Sequence, residues 1–309
     1  MRENNKLSQD GRDPGGSPHL HEYRRQVSLL ADRIRSVCEG YQTGCYVTGR
    51  AGIGKSHTVM STLESCRAPH LALNARVSPA ALFDAIEEHS QSSIVIDDVP
   101  VLLSNPQGAQ ILMAATGGTP GSARVVTYTT RNSRRRSVFT GGIVAISNST
   151  LAHDAAGQAL ASRLTLHHFN PSDEAIAAFL THEAESGVQG IPPADCLEIL
   201  DHVRIICRDS DYRLDLRSFF KATADYRFWR AGNCSTDWRT LVEASLRQWT
   251  STPVTTPLTR VESRENDEAI VRELHAQRLS KSELARIWKQ RTGKSLDVYY
   301  RHRRKLRLS

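Results

Sequence analysis

Residues 49 to 56 read Gly-Arg-Ala-Gly-Ile-Gly-Lys-Ser, which places two glycines five positions apart and follows the second with a lysine and a hydroxyl. That spacing is the GxxxxGK[ST] pattern of a phosphate-binding loop. Its chemistry needs backbone N–H groups to close around a phosphate with no side chains in the way. Hence Gly49, Arg50, Ala51, Gly52, Ile53 and Gly54 are expected to act through their main chain, and Lys55, Ser56 and His57 to begin a helix whose positive end faces the anion. Lys55 would reach the β- and γ-phosphates, and Ser56 would ligate Mg²⁺. A second motif, Ser-Ile-Val-Ile-Asp-Asp from Ser93 to Asp98, lies 42 residues beyond Lys55 at its first aspartate. Two acids at the end of an apolar run suit phosphoryl transfer, with Asp97 holding Mg²⁺ through its water shell and Asp98 orienting the attacking water.

These groups must be positioned by a sheet. Residues 1–20 are polar and rich in Gly and Pro, which predicts a mobile tail. Helical spacing of Val27, Leu30, Ile34 and Val37 predicts a helix over 21–38. Strands are then predicted at 45–48, 71–73, 93–97, 123–130 and 142–147 and around 164–169, with helices between most of them. This alternation predicts an α/β fold, a mainly parallel sheet flanked by helices over 21–169. After Phe169 the strand signal stops. Asn170 as a cap with Pro171 in the first turn opens a helical region over 170–249. A Thr/Ser/Pro-rich stretch makes 250–265 a linker, and three short helices follow in 266–309.

The phosphate loop and the acidic strand resemble those of the AAA+ ATPases, and the likeness extends roughly from Val27 to Leu246. The resemblance implies ATP and Mg²⁺ as cofactors, a helical lid, and a homo-oligomer, as a ring or helical filament, with nucleotide at subunit interfaces. It also implies three further roles. Asn148, after the strand Gly142–Ser147, would contact the γ-phosphate or attacking water; Arg163, in Ser-Arg-Leu, would reach the neighbouring subunit's nucleotide; Arg217, at a lid helix start, would contact the γ-phosphate in cis. The chain departs from the family in two places. Asp98 stands where a longer Glu is usual, and the segment after the second strand lacks the aromatic-apolar-Gly loop that grips polypeptide.

Between the acidic strand and Asn148 lies a surplus segment that reads as a strand, a basic turn and a short return strand. In one branch of the family such a hairpin points into the ring channel, where Arg131, Arg134, Arg135 and Arg136 would form a sequence-neutral collar around a phosphate backbone. The same partner, DNA, is suggested by the C-terminus. The chain carries a net charge of +7, and residues 266–309 hold 12 Lys/Arg against 5 Asp/Glu, so the remainder is balanced. Ser280 and Glu283 form a capping box, Gly293 fits a helix stop, and Ser295 would cap a last helix. That helix would bury Leu296, Tyr299, Tyr300 and Leu306 and expose Arg301, His302, Arg304, Lys305 and Arg307, with Arg303 beside them, in a helix-turn-helix layout. The six scattered cysteines and the absence of a long apolar run imply a cytoplasmic protein with reduced thiols and no membrane partner. The competing class is a nucleotide-dependent switch or scaffold with little turnover, whose basic C-terminus binds a protein.

Overall fold

The computed structural model describes residues 17–74, 77–97, 100–103, 105–151, 155–232, 234–251, 267–268, 270–275, 277, 280–292 and 295–306. Asp98 and Arg307 lie outside the described residues, as does Gly293. The described residues fall into two compact units divided between Thr250 and Ser251.

In the first unit, β1 (Gly44–Thr48), β2 (His70–Leu73), β3 (Ser93–Asp97), β6 (Ile143–Ser147) and β7 (Thr165–His168) form one parallel sheet in the order β2-β3-β6-β1-β7. Every residue of β1 and β6 is buried. Such strands need cover on both faces, which is why they read as unbroken apolar runs rather than alternating ones. Side chains of alternate parity point to opposite faces. Tyr46, Ile94, Ile96 and Ala145 pack with Leu82, Phe83 and Ile86 of α3 (Pro79–Glu88) and Ile111 and Leu112 of α5 (Pro106–Thr116). Val47, Val95 and Val144 pack with Leu30 and Ile34 of α1 (Pro18–Cys38) and Val59 and Leu63 of α2 (Lys55–Ser65). A short α4 (Pro100–Leu103) precedes α5, and α6 (Ala155–Ala161) precedes β7.

Four longer helices follow: α7 (Asp173–Ser186), α8 (Pro193–Asp209), α9 (Leu216–Arg230) and α10 (Trp238–Ser251). The change of composition at residue 170 marks a change of secondary structure but no break in packing. Ile176, Leu180, Ile199, Phe219 and Trp238 belong to the same buried cluster as Leu30, Val47 and Val144. Local caps differ from expectation. Helix α1 begins at Pro18, within the segment read as tail, because the Ser17 hydroxyl accepts from the His19 N–H and proline suits the first turn. Helix α7 is capped by Ser172, whose hydroxyl accepts from Ala175 N at 3.1 Å. Asn170 instead exchanges two hydrogen bonds with the Gln26 amide of α1, at 3.2 Å each.

The surplus segment is a two-stranded antiparallel hairpin, β4 (Arg124–Thr129) and β5 (Arg134–Phe139). Arg134, Arg135 and Arg136 therefore sit in the return strand, and only Arg131 is in the turn. Strand alternation separates them: Arg134 and Arg136 are exposed, whereas Arg135 turns toward α3. There it pairs with Asp84 at 2.7 Å and with Glu87, and lies 4.8 Å over the Phe83 ring. Neutralised within its own chain, Arg135 leaves the expected collar.

The second unit has its own apolar cluster of Ile270, Val271, Leu274, Leu284, Trp288 and Tyr299. Helix Lys281–Thr292 starts with the expected capping box, Glu283 N donating to Ser280 Oγ at 3.4 Å and Ser280 N to Glu283 Oε2 at 3.2 Å. Ser295 occupies the cap position of helix Leu296–Lys305 without a side-chain capping bond, and its carbonyl takes the Trp288 indole N–H at 3.0 Å. Arg301, Arg304 and Lys305 are exposed and Arg303 half-buried. His302, expected on the outer face, faces inward: its side chain is 15% exposed and lies 3.5 Å from Asp267 and 3.9 Å from Glu268. All six cysteines are free thiols. Among the described residues no helix is long and apolar enough to cross a membrane.

The turn into β6 depends on one close approach. A Cβ on Gly141 would lie 2.0 Å from the Ser92 carbonyl oxygen, a backbone atom that cannot move alone. Gly141→Ala is expected to destabilise the first unit by about 1–3 kcal/mol, the range for forced overpacking. The urea midpoint by circular dichroism is the readout, and an unchanged midpoint would contradict the packing described.

Candidate functional site

Inserting β6 between β1 and β3 brings the ends of three strands together. Thr48 stands opposite Ser147, and Asp97 opposite Ile146. The chain leaves β1 into the 49–54 loop and enters α2 at Lys55, with Gly54 as N-cap in a left-handed conformation, φ 101°. No side chain caps this helix. Its first-turn N–H groups therefore lack the partner that Ser or Asp would supply, and they make an anion-binding end.

Lys55 is 6% exposed, an unusual position for an ammonium. It donates to the carbonyls of Gly49 at 2.7 Å and Arg50 at 2.6 Å and to Asn148 Oδ1 at 2.9 Å. Burial pulls its pKa down to about 8; the Asp97 charge opposes the shift, and the Arg217 charge adds to it. Ser56 Oγ donates to Asp97 Oδ2 at 2.8 Å. A hydroxyl and a carboxylate at that separation are a hard, oxygen-only pair of the kind Mg²⁺ takes alongside substrate oxygens.

Three struts hold the loop. Leu216 N donates to Gly52 O at 3.0 Å, and the Tyr23 hydroxyl donates to Ile53 O at 3.1 Å. Asp215 packs against Gly52 so closely that a Cβ there, at φ 81°, would sit 2.7 Å from its carboxyl carbon. The same carboxylate caps α9 through Ser218 N at 2.7 Å and accepts from the Tyr212 hydroxyl at 2.8 Å. The Arg50 side chain points away from the site, to Asp173 at 2.8 Å and the Leu214 carbonyl at 3.0 Å. Ile53 is wholly buried in the core. Both therefore face the site only through their main chain.

Above the loop opens a cleft of about 660 Å³. It is lined by Ala51, Gly52, Gly54, Lys55, Ser56, His57, Asp97 and Asn148, joined by Arg217 from the second position of α9. The structure thus gathers residues from the loop, β3, the end of β6 and α9 that lie up to 166 positions apart in the chain. The cleft is also lined by Tyr23, Val27, Phe179, Glu183, Gln189 and Phe220. Val27 belongs to the predicted apolar stripe of the first helix; Tyr23, Glu183, Gln189 and Phe220 carry no sequence signal of a site, because they come from α1, α7, α9 and the turn after α7, with no shared spacing. Arg163 does not line this cleft. It lies exposed in the turn after α6, donating to Ala159 O at 2.5 Å. The exposed Arg131, Arg134 and Arg136 of the hairpin likewise do not line it, and Arg301, Arg303, Arg304 and Lys305 belong to the second unit.

No protein-family model matches the sequence, and no curated protein matches it. Among solved structures, the chain is similar to a point mutant of RuvB from Thermotoga maritima, at 12% identity and TM-score 0.46 over 86% of this chain and 81% of that one. It is also similar to Aeropyrum pernix ORC2, solved as ADPNP and ADP complexes, at 13% identity and TM-score 0.46 over 96% of this chain and 89% of that one.

The depressed pKa of Lys55 carries a sign. Below about 8 the ammonium is charged and meets an incoming polyanion; above 8 the site is neutral at this position until the ligand restores the proton. Affinity for inorganic triphosphate should fall as pH rises through about 8, and binding near pH 8.5 should take up protons. Calorimetry in two buffers of different ionisation enthalpy measures the uptake, which Lys55→Met should abolish.

Proposed function

We propose that this chain is an AAA+ ATPase that binds Mg·ATP in the cleft above residues 49–56. The carrying observation is the convergence of side chains on one uncapped helix end: the Lys55–Asn148 contact at 2.9 Å, the Ser56–Asp97 contact at 2.8 Å, and Arg217 on the facing lid wall. When bound, magnesium would supply charge neutralisation between the phosphates. Ser56 and Asp97 would hold it, and the fit rests on their oxygen-only chemistry. The chain's own residues do the rest. The α2 N-terminus and Lys55 neutralise the phosphate oxygens, Asn148 positions a group beside the terminal phosphate, and Arg217 adds positive charge from the lid. In phosphoryl transfer such electrostatic placement is most of catalysis. Asp98, next to Asp97 in sequence, is assigned the orientation of the attacking water.

Arg163, exposed and remote from its own chain's cleft, suits a role in a neighbouring subunit's site within a homo-oligomer. Asp97→Asn and Arg163→Ala should each abolish turnover. A mixture of the two should regain part of it, since some interfaces would then pair an intact Asp97 with an intact Arg163. Phosphate release at varied mixing ratios reads this out, and no recovery at any ratio removes the inter-subunit site.

DNA is the proposed partner. Support comes from the surplus charge of residues 266–309 and from Arg131, Arg134 and Arg136, which are exposed on the hairpin. Removing residues 266–309 should weaken duplex binding and flatten its dependence on salt, because fewer counterions are released. Equal affinity and slope in fluorescence anisotropy with and without the segment would instead favour a scaffold whose C-terminus binds protein.

A further inference from the structure

A nucleotide cleft with a carboxylate in its wall poses a question. Glu183 lies on α7, four residues after Phe179 and so on the same helix face, and both line the cleft. Phe179 stacks on Tyr23 with ring centroids 4.3 Å apart. Burial first, and the Glu183 charge second, push the Tyr23 hydroxyl above its ordinary range, so that phenol stays protonated as the donor to Ile53 O. Among the described residues no hydrogen bond or ion pair ties down the Glu183 carboxylate itself. A carboxylate in a cleft meant for a polyanion adds repulsion, and a ligand donor would offset it.

Gln189 supplies the complementary group. It sits in the tight turn closed by the Val188–Ile191 bridge, at φ 52°, a conformation that a non-glycine residue holds at a cost. Arg227 donates to its Oε1 at 2.8 Å. A guanidinium has only donors, so the amide oxygen is engaged and the NH₂ remains to donate. The cleft therefore offers Val27, Phe179 and Phe220 as apolar walls, one acceptor and one donor.

We propose that Glu183 is a specificity-determining residue that accepts a hydrogen bond from the 6-amino group of adenine, while the Gln189 NH₂ donates to the adjacent ring nitrogen. This rests on the nucleotide reading of the cleft. A hydrogen bond to an ionised acceptor corresponds to roughly a 10- to 100-fold preference. The test is equilibrium binding of the full chain to four probes: ATP, purine riboside triphosphate (which lacks the amino group), GTP and inorganic triphosphate. Wild type should favour ATP over the unsubstituted purine by at least about tenfold. Glu183→Ala should bring that ratio close to one, and Glu183→Gln, which keeps an acceptor, should retain part of it. Inorganic triphosphate has no base and serves as the folding control for the variants. An ATP preference that survives in Glu183→Ala overturns the proposal, as does a wild-type preference for GTP. If inorganic triphosphate binds wild type but ATP and the unsubstituted purine bind alike, this inference alone fails. If nothing binds, the nucleotide reading fails with it.

Discussion

A buried ammonium organises the site. Taking the Lys55 charge out of water is unfavourable unless oxygens surround it, and the fold provides three: the carbonyls of Gly49 and Arg50 and the Asn148 carboxamide. Each comes from a constrained place. The two carbonyls require the loop to curl back over the helix it precedes. The carboxamide requires β6 to lie next to β1, and the neighbouring Asp97, whose charge favours the ammonium, requires β3 to lie beyond β6. A sheet with a different strand order would leave the lysine without its partners.

The same loop is the point where the sheet meets the helices that follow it. A backbone hydrogen bond from Leu216, the Asp215 carboxylate against Gly52, and the Arg50–Asp173 pair all connect residues 50–52 to the start of α7 or α9. Arg217 follows directly after the residue that holds Gly52. Arg217, which lines the cleft from α9, is thus next in the chain to a residue bonded to the loop. The shared apolar cluster beneath explains why the 170–250 region does not separate from the sheet: its helices bury their faces against α1 and against one another.

Charge is distributed with a comparable logic. Arginines that touch acids inside the chain, such as Arg135 with Asp84 and Glu87, fasten the hairpin to α3. Those on the other side of the strand, Arg134 and Arg136, remain exposed beside the exposed Val125 and Val138. In the last helix, His302 turns toward Asp267 and Glu268 while Arg301, Arg304 and Lys305 face solvent. Strand and helix periodicity, rather than the local density of basic residues, decides which of them a partner would meet.

Much of this was legible in the chain itself. The glycine spacing, the lysine and hydroxyl after it, the apolar run ending in aspartates and the alternation of strands with helices are local properties. Backbone freedom, helix-end electrostatics and the period of apolar residues act within a few positions, so the α/β class and the glycine-rich turn into an uncapped helix follow from order alone. The capping box at Ser280 is of the same kind. What order could not decide was which distant side chains converge. The pairing of β6 with both β1 and β3, the turn of Arg50 toward Asp173, the loss of Arg135 to Asp84, and the assembly of Tyr23, Phe179, Glu183 and Gln189 into one cleft wall all depend on long-range packing. Those choices are set by which apolar faces must be buried together, and that is a property of the folded whole.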